Sequence, residues 1–137
     1  MEKLLLSVAL TFVMFALPAY AEKPDSPETV EGATTIDAAQ AKELFDNEVV
    51  FVDTRKDSDW EAGRILGAVQ LELKSNFTEE NLAKEVGKDA PVVFYCNGIK
   101  CPRSSAASVQ AVGWGFKKVY YFRFGFPAWK EAGYPVE

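Results

Sequence analysis

The chain carries two cysteines, Cys96 and Cys101, five positions apart, and no histidine. Without an imidazole, Ser-His-Asp and Cys-His catalysis are excluded, as are zinc sites that need one. The chemistry left open is that of a thiol activated by its surroundings. Cys96 follows the apolar run Val92-Val93-Phe94-Tyr95, which reads as a buried strand. Asn97-Gly98 then favours a turn with positive φ. From Pro102 through Ala107 the residues suit a helix start, with proline and hydroxyls in the first positions. A cysteine between a strand's C-terminal end and a helix N-terminus faces unpaired backbone N–H groups and the positive end of a helix dipole. Both favour the thiolate. The same arc of N–H groups binds anions, and Lys100 and Arg103 add positive charge beside it. These residues point to an anion-binding, sulfur-handling site with Cys96 as nucleophile.

Cys101 admits other readings. In an exported protein a cysteine pair commonly forms a disulfide. Closing so short a loop gains less than closing a long one, so the spacing favours chemistry over stapling, and a reversible disulfide is compatible with both. Two thiolates are too few for a closed structural metal site, and no metal or organic cofactor is expected. Asp53-Thr54-Arg55 sits at the end of a second apolar run, where Asp53 and Arg55 read as a structural ion pair or a helix cap. Arg103, in the first turn of a helix, opposes the dipole. Either it holds the sulfonate of an anionic donor or it is a plain surface arginine.

The elements that must position this loop alternate between strand and helix. Thr34–Ile36 reads as a short strand, and Asp37 with Gln40 forms a capping-box pattern for a helix over 38–46. Val49–Val52 is a strand, Asp57–Ala62 one helical turn stopped by Gly63, and Val69–Leu71 a short strand. Asn76 or Thr78 caps a helix through Val86. After the central strand and loop come a helix over Arg103–Val112, a strand over Lys118–Phe122 and a helix over Phe126–Ala132. Near-continuous apolar strands between helices predict an α/β fold with a parallel sheet covered on both faces. The aromatic residues from Trp114 to Trp129 read as core and rim, with Phe124 and Phe126 as candidates for a pocket wall.

Upstream, residues 1–21 read as a secretory signal peptide. Lys3 precedes the apolar run Leu4–Leu17, and Ala19 and Ala21 occupy the small positions of an A-x-A cleavage site. The run is shorter than the ~20 residues of a membrane-spanning helix. Residues 22–33 hold Pro24, Pro27, Gly32 and several charges, and read as a flexible lead-in. A single domain, 34–137, follows. The net charge of −5 argues against nucleic acid as a partner. The expectation is a periplasmic or secreted protein, free of the membrane after cleavage and monomeric by default.

Two segments carry a family resemblance. Asp53-Thr54-Arg55 with Trp60 through Ala68 resembles the first signature of the rhodanese-homology domain. Tyr95 through Ala107, then Gly115-Phe116, Val119-Tyr120, Gly125, Trp129 and Gly133-Tyr134-Pro135-Val136, is similar to its second half. The resemblance implies a three-layer α/β sandwich with a five-stranded, mainly parallel sheet. It also implies sulfur transfer through a cysteine persulfide. Residue by residue, Cys96 matches the nucleophile, and Asn97, Gly98, Ile99, Lys100 and Cys101 match the rest of a six-residue active-site loop that would bind the substrate; Arg103 stands outside that match, as a candidate substrate ligand by its charge alone. The implied donor is a small sulfur-containing anion such as thiosulfate, and the acceptor a thiol or cyanide-like nucleophile.

The departures from the family pattern fall around the site. Gly98 stands two positions after the cysteine instead of three, Cys101 occupies the loop's last position, and Pro102 replaces a common serine. Arg64 replaces a common histidine, and Phe124 the first of two glycines. Phosphatases related to this fold use a longer C-x5-R loop, whose arginine would fall on Pro102. A second cysteine leaves a thiol–disulfide redox protein or sulfur carrier open as the rival reading, and a two-thiolate soft-metal or non-catalytic binding module as a third.

Overall fold

The computed structural model describes residues 11–16 and 23–137. Most of the expected signal peptide lies outside the described residues. Among these residues ten elements follow in order: β1 (Ala33–Thr35), α1 (Ala38–Asp46), β2 (Val50–Asp53), α2 (Asp57–Ala62), β3 (Val69–Gln70), α3 (Glu79–Glu85), β4 (Pro91–Tyr95), α4 (Arg103–Gly113), β5 (Lys118–Phe122) and α5 (Gly125–Glu131). The strands form one sheet in the order β1-β5-β4-β2-β3, and every neighbouring pair is parallel. An antiparallel bridge, Ile65 to Val136, ties down the C-terminus. The expected α/β sandwich with a five-stranded parallel sheet is what the chain adopts. Among the described residues no helix is long and apolar enough to cross a membrane.

Strand periodicity divides the core between the two faces of the sheet. Side chains on a strand alternate, so Val92 and Phe94 of β4 point one way and Val93 and Tyr95 the other. The first face joins Val52, Leu82, Ala107, Ala111 and Val119, under α3 and α4. The second joins Phe51, Ala41, Phe122, Phe126 and Trp129, under α1 and α5. Phe94, Tyr95, Val92 and Val93 are all fully buried, which is why the central strand reads as an unbroken apolar run. The small residues of α4 let it lie close to the sheet: Ser104, Ala107, Ser108 and Ala111 are buried.

Helix caps follow the sequence closely. The Asp37 carboxylate accepts from the Gln40 backbone N–H at 2.8 Å, and the Gln40 side chain accepts from the Asp37 N–H at 2.9 Å. Thr78, not Asn76, caps α3 by accepting from Asn81 N–H. The segment read as a flexible lead-in is instead seated on the domain from Lys23 onward, with Ser26 and Val30 buried. Its anchors are mainly backbone groups, a small hydroxyl and one exposed ion pair, which leave little compositional trace.

Candidate active site

In a parallel sheet all C-terminal strand ends share one edge, where open α/β folds bind ligands. Here that edge gathers Asp53 at the end of β2, Arg55 just after it, Cys96 after β4 and Gly125 after β5. The loop from Cys96 to Cys101 turns at Gly98, whose φ is +107°. The Cys101 N–H donates to the Gly98 carbonyl at 3.0 Å. The loop's first peptide is held from β5's side, where the Phe126 N–H donates to the Cys96 carbonyl at 2.9 Å. Gly125, at φ +63°, permits this approach: a Cβ there would overlap the Cys96 carbonyl oxygen and stand 3.0 Å from Gly98 N. Cys96 and Cys101 are joined as a disulfide, with Cα atoms 6.1 Å apart. In this oxidised state Cys96 is 1% exposed and its sulfur is bonded, so it is no nucleophile until reduced.

A buried polar cluster braces the loop from below. Asp53 and Arg55 are 0% and 2% exposed. The Arg55 guanidinium donates to Asp53 through Nε at 3.0 Å and Nη2 at 2.7 Å. The same carboxylate accepts from the Arg55 backbone N–H at 2.9 Å and from the Tyr95 hydroxyl at 2.7 Å. Arg55 then donates to the Gly63 carbonyl at 2.6 Å and, through Nη1, to Asn97 Oδ1 at 3.1 Å. Asn97 Nδ2 donates in turn to Asp59 at 3.0 Å. Burial opposes the charge on Arg55, but its bonds to Asp53 outweigh this and hold the guanidinium above its ordinary pKa. Burial, then the adjacent Asp53 charge, pushes the Tyr95 phenol well above its ordinary value, so it stays a donor. Asp53 and Arg55 thus form the expected structural ion pair, and Arg55 passes that rigidity to the residue after Cys96.

The loop opens on a cavity of about 290 Å³ lined by Cys96, Asn97, Cys101, the acid Asp59 and five cations: Lys23, Arg55, Lys56, Lys100 and Arg103. Arg103 is oriented by Glu72, with Nη1 to Oε1 at 2.7 Å, and also donates to the Thr54 carbonyl at 3.4 Å. Hydrogen bonds from Ser75 and then Arg103 hold the Glu72 carboxyl below the usual range. Lys100 pairs with Asp25 at 2.5 Å, and that contact lowers the Asp25 pKa. Of the residues singled out from sequence, Arg55, Cys96, Asn97, Lys100, Cys101 and Arg103 line the cavity. Gly98 shapes the backbone, and Ile99 contributes its carbonyl to a contact outside the cavity. Phe124 and Phe126 do not line it. Phe124 is largely exposed, while Phe126 is buried with the Arg55 guanidinium 4.6 Å over its ring. Sequence reasoning missed Lys56, which directly follows Arg55, and Asp59, which shares a helical turn with Trp60. It also missed Lys23, for which no sequence signal existed. Among the described residues no cluster of three or more acidic, cysteine or histidine side chains is placed to hold a metal.

The profile of the rhodanese-like domain matches residues 37–132. The chain belongs to this family. Curated relatives include the tRNA uridine(34) hydroxylases of Acinetobacter baumannii, 32% identical over 96 residues, and of Deinococcus radiodurans, 36% over 87 residues. The matches cover 66% and 60% of this chain but only 29% and 28% of those relatives, so the chain spans under a third of their length. Among solved structures, a Rhodopseudomonas palustris protein of unknown function, described as a possible tyrosine phosphatase, superposes with a TM-score of 0.64 at 28% identity, covering 82% of this chain and 99% of that one. The polysulfide-sulfur transferase homodimer of Wolinella succinogenes gives 0.62 at 22% identity, covering 77% and 79%, a likeness of fold alone. In this rhodanese-like domain the family fold therefore presents a two-cysteine loop to a cationic cavity.

Proposed function

We propose that the domain is a sulfurtransferase that carries sulfane sulfur as a persulfide on Cys96, taken from a small sulfur anion such as thiosulfate. The observation that carries this reading is the cation-lined cavity with Cys96 in its wall. The cycle begins when external thiols reduce the Cys96–Cys101 disulfide, becoming oxidised themselves. The Cys96 thiolate, stabilised by loop N–H groups and the start of α4, attacks the outer sulfur of thiosulfate. That sulfur's bond to the sulfonate breaks, and sulfite leaves with the electron pair. An acceptor, cyanide or a thiolate, then attacks the terminal sulfur of the persulfide, and Cys96 departs as thiolate. Arg103 and Lys100 bind the donor's charged oxygens, and no metal or organic cofactor takes part. The leader-like pattern of residues 1–21 supports an exported protein. A Cys96→Ser protein, assayed with thiosulfate and cyanide under reducing conditions, is expected to lose thiocyanate production; unchanged production sinks the reading.

The relatives' names suggest other chemistry that the residues support less well. A phosphatase loop would need arginine six positions after Cys96, where Pro102 stands. A net charge of −5 and a cavity of about 290 Å³ suit a small anion better than RNA. One rival has a specific observation behind it, the disulfide itself. The Cys101 thiol can attack the inner sulfur of the Cys96 persulfide, form the disulfide and expel hydrosulfide, after which a dithiol must reset the loop. Intact mass after thiosulfate separates the two. Reduced wild type that gains one sulfur supports transfer, whereas loss of two hydrogens, abolished in Cys101→Ser, supports the redox route.

A further inference from the structure

The segment upstream of β1 clasps the rim of the cysteine loop. The Ser26 backbone N–H and Oγ both donate to the Ile99 carbonyl at 2.6 Å. Asp25 pairs with Lys100, whose ammonium also donates to the Lys23 carbonyl at 3.1 Å. From the end of β5, Arg123 donates to the carbonyls of Ser26 at 2.9 Å and Pro27 at 3.1 Å, and the Tyr121 hydroxyl donates to Pro27 at 2.9 Å. Ser26 is 7% exposed. These bonds join residues more than 70 positions apart, so they belong to the tertiary structure and not to a local turn.

Two consequences bear on the cavity. Peptide units are trans, so the C=O and N–H of one unit point in opposite directions. Holding the Ile99 carbonyl on Ser26 turns the Lys100 N–H away from the segment. The clasp also pins the Lys23 backbone, and Lys23 lines the same cavity as Cys96. Lys23 is thus added as a fifth cation to Arg55 and Lys56 from β2's end, Lys100 of the loop and Arg103 of α4.

We propose that Lys23 is a specificity-determining residue of this site, held at the cavity by Asp25 and Ser26, and that it favours doubly charged sulfur donors over singly charged ones. The proposal rests on the sulfur-transfer reading for its substrate and on the cavity for its anion. Thiosulfate carries two negative charges and benzenethiosulfonate one, yet both yield the same Cys96 persulfide, releasing sulfite or benzenesulfinate. An exposed cation contributes modestly and in a salt-dependent way. Lys23→Gln in the full chain is therefore expected to raise KM for thiosulfate about three- to fivefold, with kcat unchanged, and to affect benzenethiosulfonate less. The variant Ser26→Ala, which keeps Lys23 and every charge at the cavity but removes one of the clasp's bonds to Ile99, is expected to show the same split to a smaller extent. Equal effects on both donors, or a fall in kcat alone, overturn the proposal. A readout without turnover is sulfate binding to the Cys96→Ser protein, followed by calorimetry. Binding weakened by Lys23→Gln supports the role of Lys23 even if thiosulfate proves not to be a donor. Binding unchanged by Lys23→Gln, or absent with and without it, overturns that role.

Discussion

Asp53 is the residue on which the rest of the site leans. One buried carboxylate serves the Arg55 guanidinium, the Arg55 backbone and the Tyr95 hydroxyl. Removing one partner of a buried pair leaves a charge without compensation, at a cost of about 3–5 kcal/mol. Asp53→Asn is expected to destabilise by that order in urea denaturation and to loosen Asn97, which Arg55 holds. A loss below ~1 kcal/mol would mean that Arg55 finds another partner. Tyr95 carries a pH signature of the same cluster. Its phenol is raised in the folded state, first by burial and then by Asp53. Below the unfolded phenol's ordinary pKa of about 10 both states are protonated, and the contribution is complete. Above it only the unfolded state loses its proton, so stability falls as pH rises. Tyr95→Phe is expected to flatten that alkaline decline relative to wild type in denaturation series between about pH 9 and 11. Asp53 and Arg55 were legible as a pair because both follow an apolar strand at a spacing of two. The hydroxyl role of Tyr95 was not, since periodicity records only that position 95 faces the core.

At the scale of elements, β4, the loop and α5 meet at one backbone contact. The Cys96 carbonyl, the Phe126 N–H and Gly125 are within touching distance there, and α5 can start only if residue 125 lacks a Cβ. Gly125→Ala must either strain a left-handed residue or push the Cys96 peptide away. Gly133 offers the comparison: its φ is +75°, and a Cβ added there would meet nothing within 4 Å. Gly133→Ala is expected to cost about 1 kcal/mol from backbone strain alone. Gly125→Ala is expected to cost at least about 2 kcal/mol and to reduce thiocyanate formation by more than tenfold. Equal effects of the two substitutions would deny the contact any part in placing Cys96. Strand existence was legible from apolar runs, and α1 from its capping box. Strand ends were less so: β2 extends to Asp53 because Tyr95 and Gln70 pair with it across the sheet. A polar residue is drawn into a ladder by neighbours that no local window contains.

Over the whole molecule, the alternation of strands and helices gave the architecture, while the seating of residues 23–33 depended on carbonyls and was invisible to composition. The Cys96–Cys101 bond was equally open, because spacing alone does not say whether two thiols are oxidised. Its presence couples activity to stability. The bond closes a loop of about six residues, for which the chain-entropy account gives ~2 kcal/mol of stabilisation. Sulfur transfer requires that bond to be broken, so the reactive form of the proposed enzyme is the less stable one. For a domain of this size ~2 kcal/mol corresponds to a fall in Tm of roughly 5–10 °C. Wild type is therefore expected to unfold at lower temperature and lower urea concentration when a reductant is present. Cys101→Ala, which has no bond to lose, is expected to match reduced wild type under both conditions. An unchanged wild-type midpoint on verified reduction would show that native contacts, chiefly Arg55 on Asn97 and Phe126 on Cys96, hold the loop without the bond. The dithiol would then be preorganised for attack, and oxidation would act on Cys96 only by capping its sulfur.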